Sequence, residues 1–239
     1  MPTSAGSAPG SPNWIALSTP DPAASAAFYG ALLAWELTPG GHFRLAGRTV
    51  AGALADSRTG RGTWTVSFRT ADAAATAAAV ERAGGYAGPG GLADPAGARF
   101  AVREPGEGPG LETVDAPGSL WWTQLYTPDV QAAKDFYRAV FAWDTHDLVL
   151  ERGAVYTVVT PQGGGMENAH GGIMRPLDAT PVGWLPYFAV ANCDAAVTAA
   201  IENGGHVVHP PESQRGIGRQ ATLRDPFGAW FAVNARADA

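Results

Sequence analysis

The chain has 239 residues, of which 46% are apolar and 16% are charged, and its formal net charge at pH 7 is −6. The length is enough for one large domain or for two domains of roughly 110 residues. The acidic balance argues against nucleic acid as a partner, because nucleic-acid-binding proteins need a basic surface. No apolar run approaches the roughly 20 residues that cross a bilayer, so we expect no membrane partner. A single cysteine and the lack of a signal-peptide pattern predict a cytoplasmic protein.

The chain contains an internal repeat, which is the first feature to seek in a new sequence. The segment 14–21 (WIALSTPD) matches the segment 122–129 (WTQLYTPD), and a Phe-Tyr pair and an Ala-Trp pair follow both segments at equal distances. A second match joins the segment 94–102 (DPAGARFAV) to the segment 225–233 (DPFGAWFAV). The two matches open and close each copy, so the chain consists of two homologous halves.

The repeat also predicts the boundaries of the halves. Residues 105–118 are rich in Pro and Gly, which is typical of a linker, and the first residues are small and polar. We therefore predict a flexible tail over 1–11, a first half over 12–104, a linker over 105–118 and a second half over 119–236.

Hydrophobic periodicity, helix caps and turn residues predict the order β-α-β-β-β twice in each half. The predicted elements of the first half are strand 13–19, helix 23–34, strands 42–47, 49–55 and 63–70, helix 72–82, and strands 86–88 and 98–103. Those of the second half are strand 121–127, helix 129–142, strands 146–151, 154–160, 170–175 and 185–191, helix 193–203, and strands 206–209, 219–223 and 229–234. Four βαβββ modules predict an α+β fold.

These modules, the Asp and Phe-Tyr near the start of each half, and the Asp-Pro-x-Gly before each closing strand resemble the vicinal oxygen chelate superfamily. That superfamily includes glyoxalases, bleomycin-resistance proteins and extradiol dioxygenases, and the resemblance covers residues 12–236. It implies open, barrel-like curved sheets with the helices outside and a ligand on the concave inner face. It leaves the function open, because one fold hosts many activities. It also leaves open whether modules pair within a half or between halves.

The resemblance further implies a divalent metal ion held by His and Glu side chains. The matching positions carry Trp14, Thr65 and Ala101 in the first half and Trp122, Leu185 and Ala232 in the second. None of these side chains offers an imidazole nitrogen or a carboxylate oxygen to a metal. We therefore predict neither a metal ion nor another cofactor.

Strand alternation predicts which side chains line the inner face. The predicted ligand-binding residues are Trp14, Thr65, Arg69, Arg99, Trp122, Gln124, Tyr126, Tyr187 and Trp230. An aromatic surface with a few polar anchors suits a planar aromatic small molecule. Two alternatives stay open: the tryptophans that open the halves could fill a closed core, and the arginines could pair with acidic side chains.

His170 and Glu167 are the candidate catalytic residues. They lie in or next to a Gly-rich insertion that the first half lacks, at the entrance of a predicted strand. A loop placed there could cover the cavity and bring either residue to a bound ligand as an acid or a base. The alternative is a flexible surface loop without a chemical role.

Two functional hypotheses follow. The first is a binding protein that sequesters or carries an aromatic natural product, and the second is a cofactor-free enzyme of secondary metabolism, such as a cyclase, isomerase, hydratase, dehydratase or lyase. Because four modules complete both barrels in one chain, a monomer is expected, although a homodimer is also compatible. The halves differ at several inner-face positions, so we expect at most one functional cavity, more readily in the second half.

Overall fold

The computed structural model describes residues 8–150, 155–176 and 180–237. The first half contains β1 (Pro12–Thr19), α1 (Pro22–Leu33), β2 (Glu36–Leu37), β3 (His42–Leu45), β4 (Arg48–Ala55), β5 (Thr63–Arg69), α2 (Ala73–Arg82), β6 (Tyr86–Gly88), β7 (Gly91–Ala93) and β8 (Arg99–Arg103). The second half contains β9 (Leu120–Tyr126), α3 (Val130–Phe141), β10 (Asp144–Val149), β11 (Val155–Thr160), β12 (Gly171–Met174), β13 (Gly183–Ala189), α4 (Cys193–Glu202), β14 (His206–Gln214), β15 (Gly218–Arg224) and β16 (Trp230–Ala235).

Each half forms one eight-stranded sheet, which confirms the predicted α+β fold. The strand order is β2-β3-β4-β1-β5-β8-β7-β6 in the first half and β10-β11-β12-β9-β13-β16-β15-β14 in the second. In both sheets the opening strand pairs in parallel with the last strand of its own module and antiparallel with the first strand of the next module. The sheets therefore pair modules within each half, a question that the sequence left open.

The predicted elements agree with the structure except at short or irregular strands. β2 and β7 span two and three residues, too few for a periodic signal, and they were missed. β14 continues to Gln214, beyond its predicted end, although it contains Pro210 and Pro211. It lies at the edge of its sheet and its pairing with β15 shifts register twice, and an irregular edge strand tolerates proline.

The repeated Asp and Ala-Trp motifs mark the two ends of a helix. The carboxylate of Asp21 accepts hydrogen bonds from two backbone N–H groups in the first turn of α1, and Asp129 caps α3 in the same way through one. Ala34 and Ala142 end these helices with φ of 57° and 56°, in the left-handed region. This turn directs Trp35 and Trp143 back into the core, where both are buried.

The two halves are joined by a buried hydrogen bond between Tyr29 and Asp225. The Tyr29 hydroxyl donates to the Asp225 Oδ2 atom at 3.2 Å and accepts from the Trp64 indole N–H at 2.9 Å. The Asp225 Oδ1 atom accepts from the backbone N–H of Phe227 and Ala229. One carboxyl therefore shapes the Asp-Pro-x-Gly turn of the second half and also binds the first half.

The repeat places an equivalent contact on the other side. The Tyr137 hydroxyl donates to the Asp94 Oδ2 atom at 3.3 Å and accepts from the Trp184 indole N–H at 2.8 Å. The tyrosine of each Phe-Tyr pair thus binds the aspartate of the other half's Asp-Pro-x-Gly. The two sequence motifs that reveal the repeat form a reciprocal contact across the interface.

The core lies between the outer faces of the two sheets, where the helices pack. α1 contacts α4, and α2 contacts α3, so each helix pair draws one member from each half. The Phe28 ring lies 6.0 Å from the Phe231 ring, and Phe68 lies 5.0 Å from Trp184. None of the helices in the described ranges is long and apolar enough to cross a membrane. The inner faces of the sheets lie on the side opposite the helices.

The predicted tail and linker are packed where the structure describes them. Residues 1–7 lie outside the described residues, but the backbone N–H of Gly10 donates to Arg69 and its carbonyl accepts from the Trp143 indole N–H. Within 105–118, the carbonyl of Gly118 accepts from the Trp35 indole N–H at 2.6 Å, and Leu111 is buried. Residues 8–11 thus contact both halves, and the predicted tail and linker boundaries stay predictions.

We expect Tyr29→Phe to lower the free energy of unfolding by about 1–3 kcal/mol, because it leaves a buried carboxyl and an indole N–H without their partner. Urea denaturation followed by tryptophan fluorescence measures this change. Tyr86→Phe is the matched control, since Tyr86 is 53% exposed. Equal stability of the two variants would contradict the role of the Tyr29 contact.

The same interface predicts a pH dependence of stability. Burial raises the pKa of Asp94 and of Asp225. The folded state therefore binds a proton on each of these carboxyl groups more tightly than the unfolded chain does. The stability that the protonated carboxyl groups contribute is lost as pH rises from about 4 through their pKa in the folded state. Asp94→Asn keeps an oxygen acceptor and cannot ionise.

Urea denaturation at pH 4 and at pH 7 tests this dependence. The free energy of unfolding of the wild type, minus that of Asp94→Asn, is expected to be smaller at pH 7 than at pH 4. A difference that stays constant or grows with pH would show that the folded-state pKa of Asp94 is not raised.

Candidate functional site

The inner face of the second sheet carries an aromatic cluster that is separate from the main core. We call it the inner cluster, and it comprises buried Tyr126, Leu185, Tyr187 and Ala232, with Trp121, Trp122, Met174 and Trp230 packed against them. Strand register assembles it: Trp122 on β9 lies opposite Tyr187 on β13, and Tyr187 lies beside Ala232 on β16. The alternate residues of these strands, such as Leu125 and Phe188, belong to the main core.

Two tyrosine hydroxyls meet inside the inner cluster. The hydroxyl oxygens of Tyr126 and Tyr187 lie 3.1 Å apart, and both residues are buried. One hydroxyl must donate to the other, which leaves the hydrogen of the acceptor hydroxyl unused in this pair. That remaining O–H has no acceptor among the described residues.

A chain of hydrogen bonds fixes the neighbouring side chains. The Trp122 indole N–H donates to the Tyr156 hydroxyl at 2.8 Å, and this hydroxyl donates to the Gln124 Oε1 atom at 2.7 Å. The Gln124 amide in turn donates to the carbonyl of Leu125 at 3.0 Å. These hydrogen bonds hold the plane of the Trp122 indole in one orientation, as a stacking surface requires.

Tyr156 is a site residue that the sequence analysis missed. It lies on β11, and its hydroxyl reaches Gln124 across Gly172 on β12, where a Cβ atom would have no room. In the sequence, Gly172 was the available signal for Tyr156, because it lies opposite Gln124 in the parallel pairing of β12 with β9 and leaves room for a side chain from β11. Sequence alone gives neither that register nor the distance across the middle strand.

The hydroxyls of the inner cluster are donors rather than bases. Burial raises the pKa of Tyr126, and burial together with the neighbouring tyrosines raises the pKa of Tyr187. Burial is also the main cause that raises the pKa of Tyr156. All three phenols are therefore protonated near pH 7, where a phenol can donate a hydrogen bond but accepts a proton poorly.

A cleft of about 250 Å³ opens at one end of the inner cluster, between the two halves. Its lining includes Tyr126, Leu185 and Trp230 from the second half, and Arg99 from the first. Arg99 is exposed, and its guanidinium donates to the carbonyl of Gly90 at 3.0 Å. The volume lies just below the roughly 300 Å³ at which ligand pockets usually begin.

The first half does not form an equivalent inner cluster. Trp14 is only 8% exposed, its ring lies 4.7 Å from the guanidinium carbon of Arg103, and His42 packs against its edge. Gly52 lies so close to the indole that a Cβ atom there would collide with it. This environment fits the core-filling alternative for Trp14, whereas Trp122 is half-buried at the surface of the inner cluster.

Two further predicted ligand-binding residues lie apart from the inner cluster. Thr65 pairs with Ala16 in the first sheet and is half-buried. Arg69 lines a separate cavity of about 200 Å³ together with Asn13 and Arg103. The structure therefore brings five of the nine predicted residues together in the second half: Trp122, Gln124, Tyr126, Tyr187 and Trp230. A sixth, Arg99 of the first half, lines the cleft beside Tyr126 and Trp230.

The structure does not bring the predicted acid–base pair to the inner cluster. The His170 ring lies 5.2 Å from the Trp143 ring in the main core, and neither ring nitrogen, both buried, has a hydrogen-bond partner among the described residues. Burial lowers the pKa of His170 to about 4, so the ring is neutral near pH 7. Glu167 is exposed in a short 3₁₀ helix between β11 and β12. A catalytic role for His170 or Glu167 therefore stays a prediction.

The residues at the implied metal position do not fit a metal ion. Trp122, Leu185 and Ala232 lie within one cluster, but none of them supplies an imidazole, thiolate or carboxylate ligand. Within the described ranges, no group of three or more His, Cys, Asp and Glu side chains could hold a metal ion. The cluster instead fills the position with aromatic rings and hydroxyls.

The second half, over residues 119–233, matches the family described as "Glyoxalase/Bleomycin resistance protein/Dioxygenase superfamily", and residues 14–103 match the family "Glyoxalase-like domain". In its fold, the chain is similar to 2,2',3-trihydroxybiphenyl 1,2-dioxygenase from Sphingomonas wittichii strain RW1, with a TM-score of 0.61 and 14% identity over 95% of this chain and 90% of the dioxygenase. At this identity the similarity shows the fold alone.

Two curated relatives are similar over nearly the whole chain. "Anthracycline biosynthesis protein DnrV" of Streptomyces peucetius is 38% identical, with 95% of this chain and 93% of the relative covered. "Anthracycline biosynthesis protein DauV" of Streptomyces sp. strain C5 is 35% identical, with the same shares covered. With its two eight-stranded sheets, its repeated motifs and these matches, the chain belongs to the glyoxalase/bleomycin resistance protein/dioxygenase superfamily.

Proposed function

We propose that the inner cluster binds a planar aromatic small molecule without a metal ion, for sequestration, resistance or carriage of a natural product. The observation that carries this proposal is the replacement of the implied metal ligands by an aromatic surface with fixed hydroxyls. Trp122 and Trp230 are half-buried, so their rings remain partly open to a ligand. Stacking on such rings favours flat, apolar molecules.

The hydrogen-bonding pattern supports a ligand that carries oxygen atoms. Tyr126 and Tyr187 share one hydrogen bond and leave one O–H free to donate. A buried donor without a partner costs free energy, and a carbonyl or hydroxyl oxygen of a ligand would satisfy it. A flat ring system bearing carbonyl or hydroxyl groups therefore matches both features of the inner cluster.

The names of the relatives support the same ligand class. Two proteins that are similar over almost their entire length are named for anthracycline biosynthesis. We therefore propose that the ligand is an aromatic product or intermediate of secondary metabolism. Because one chain supplies both sheets, we propose that a monomer is sufficient for binding, without nucleic acid or membrane as a partner.

A cofactor-free enzyme acting on such a ligand is the second candidate. It is favoured by the three tyrosine hydroxyls, since fixed O–H donors in an apolar site stabilise a developing oxyanion. A base would have to come from outside the hydroxyl cluster. An acid–base role for His170 or Glu167 stays a prediction, and the His170 ring packs against the buried Trp143. Conversion of bound 1,4-dihydroxyanthraquinone into a new product would favour an enzyme over a binding protein.

We expect Trp122→Leu to weaken binding of 1,4-dihydroxyanthraquinone at least about fivefold, because stacking on an aromatic side chain contributes on the order of 1–3 kcal/mol. Quenching of tryptophan fluorescence during titration measures the affinity. Trp14→Leu is the matched control at the equivalent position of the first half, and we expect its effect to be less than about twofold.

Circular dichroism is the control that checks whether both variants are folded. Equal loss of affinity in the two variants, or no saturable quenching in the wild type, would contradict a stacking site in the second half.

A further inference from the structure

Arg224 extends the inner cluster with a positive charge. It lies on β15 directly opposite Trp230 on β16, and its guanidinium carbon is 5.6 Å from the centre of the Trp230 ring. Residues paired directly across two strands share a face of the sheet. The next pair, Leu223 and Phe231, belongs to the main core, so Arg224 and Trp230 are on the opposite, inner face.

Among the residues that the structure describes, the charge of Arg224 has no acidic partner. Its Nε atom is buried and forms no hydrogen bond among the described residues, and none of the ion pairs in that part of the chain includes it. By contrast, Arg219 on the same strand pairs with Asp194 at 2.7 Å. Arg224 is half-buried, and its buried Nε–H group lacks an acceptor. An oxygen atom of a ligand would supply that acceptor.

The groups around Arg224 leave this position open to an anion. The neighbouring Asp225 uses its carboxyl for Tyr29 and for its own turn on the core side. His206 lies opposite Arg224 on β14 and is exposed. His209, further along β14, contacts the Thr180 hydroxyl at the edge of the cleft. No carboxylate among these groups pairs with the Arg224 guanidinium.

We propose that Arg224 makes the site selective for anionic aromatic molecules, with a carboxylate on the ring system as the group it binds. This inference rests on the proposed function, because it assigns the ligand of the same inner cluster. The ring of the ligand stacks on the tryptophans and its carboxylate pairs with the guanidinium beside Trp230. A hydrogen bond between charged groups contributes more binding free energy than a neutral one, so we expect a carboxylate to bind more tightly than an uncharged substituent.

A matched pair of probes tests this assignment. 9,10-Anthraquinone-2-carboxylate and its 2-carboxamide share the ring system and the shape of the substituent but differ in charge. Titration followed by quenching of tryptophan fluorescence is expected to show about tenfold tighter binding of the carboxylate by the wild type. Arg224→Gln is expected to remove this preference and to leave the affinity for the carboxamide within about twofold.

Two further variants control for charge and folding. Arg215→Gln removes the same charge from the exposed turn between β14 and β15 and is expected to keep the preference. Arg224→Lys keeps a positive charge and is expected to retain most of the preference, so it tests the site even if Arg224→Gln does not fold. Circular dichroism monitors the fold of each variant.

The outcomes separate the two proposals. If both probes bind equally well to the wild type, if Arg224→Gln keeps the full preference, or if Arg224→Lys loses it, the assignment of Arg224 is overturned while the aromatic site stands. If neither probe quenches the wild-type fluorescence, the proposed function fails and this inference fails with it.

Discussion

A buried hydrogen bond between a tyrosine of one half and an aspartate of the other is the contact on which the arrangement of this protein depends. It occurs twice, as Tyr29 with Asp225 and Tyr137 with Asp94, and an indole N–H donates to each tyrosine hydroxyl. These contacts join the outer, helix-covered faces. Because this interface buries the outer faces, we expect a ligand to bind at an inner face.

The two inner faces have diverged in a way that the repeat makes visible. Ala16 and Ser18 hold the positions that Gln124 and Tyr126 occupy in the second half, so the first half lacks the hydrogen-bonding side chains of the inner cluster. Trp14 is instead covered by the Arg103 guanidinium and packed closely on Gly52. The inner face of the first half thus contributes mainly to packing, whereas the inner face of the second half presents aromatic rings and hydroxyls.

Sequence reasoning gave most of the fold, because the repeat and the strand alternation are local signals. The helices that begin after Asp21 and Asp129 agree with the structure, as does the face assigned to Tyr126 and Tyr187. The α+β fold and the family were confirmed.

The parts that could not be predicted depend on distant contacts. The partner of Asp225 is almost 200 positions away in the chain, and no local pattern indicates that pairing. The position of Tyr156 depends on the width of one intervening strand, and the burial of His170 depends on the packing of Trp143. A Gly-rich insertion suggested a lid over the cavity, whereas the histidine at its end turned towards the core.

The central claim is that each chain has one metal-independent ligand site, and calorimetric titration of EDTA-treated protein tests it most directly. With elemental analysis confirming that the metal is removed, we predict that 1,4-dihydroxyanthraquinone binds with a stoichiometry of one per chain and that added divalent cations leave its affinity unchanged. Two equivalent sites per chain, or binding that appears only when a divalent cation is restored, would contradict the account.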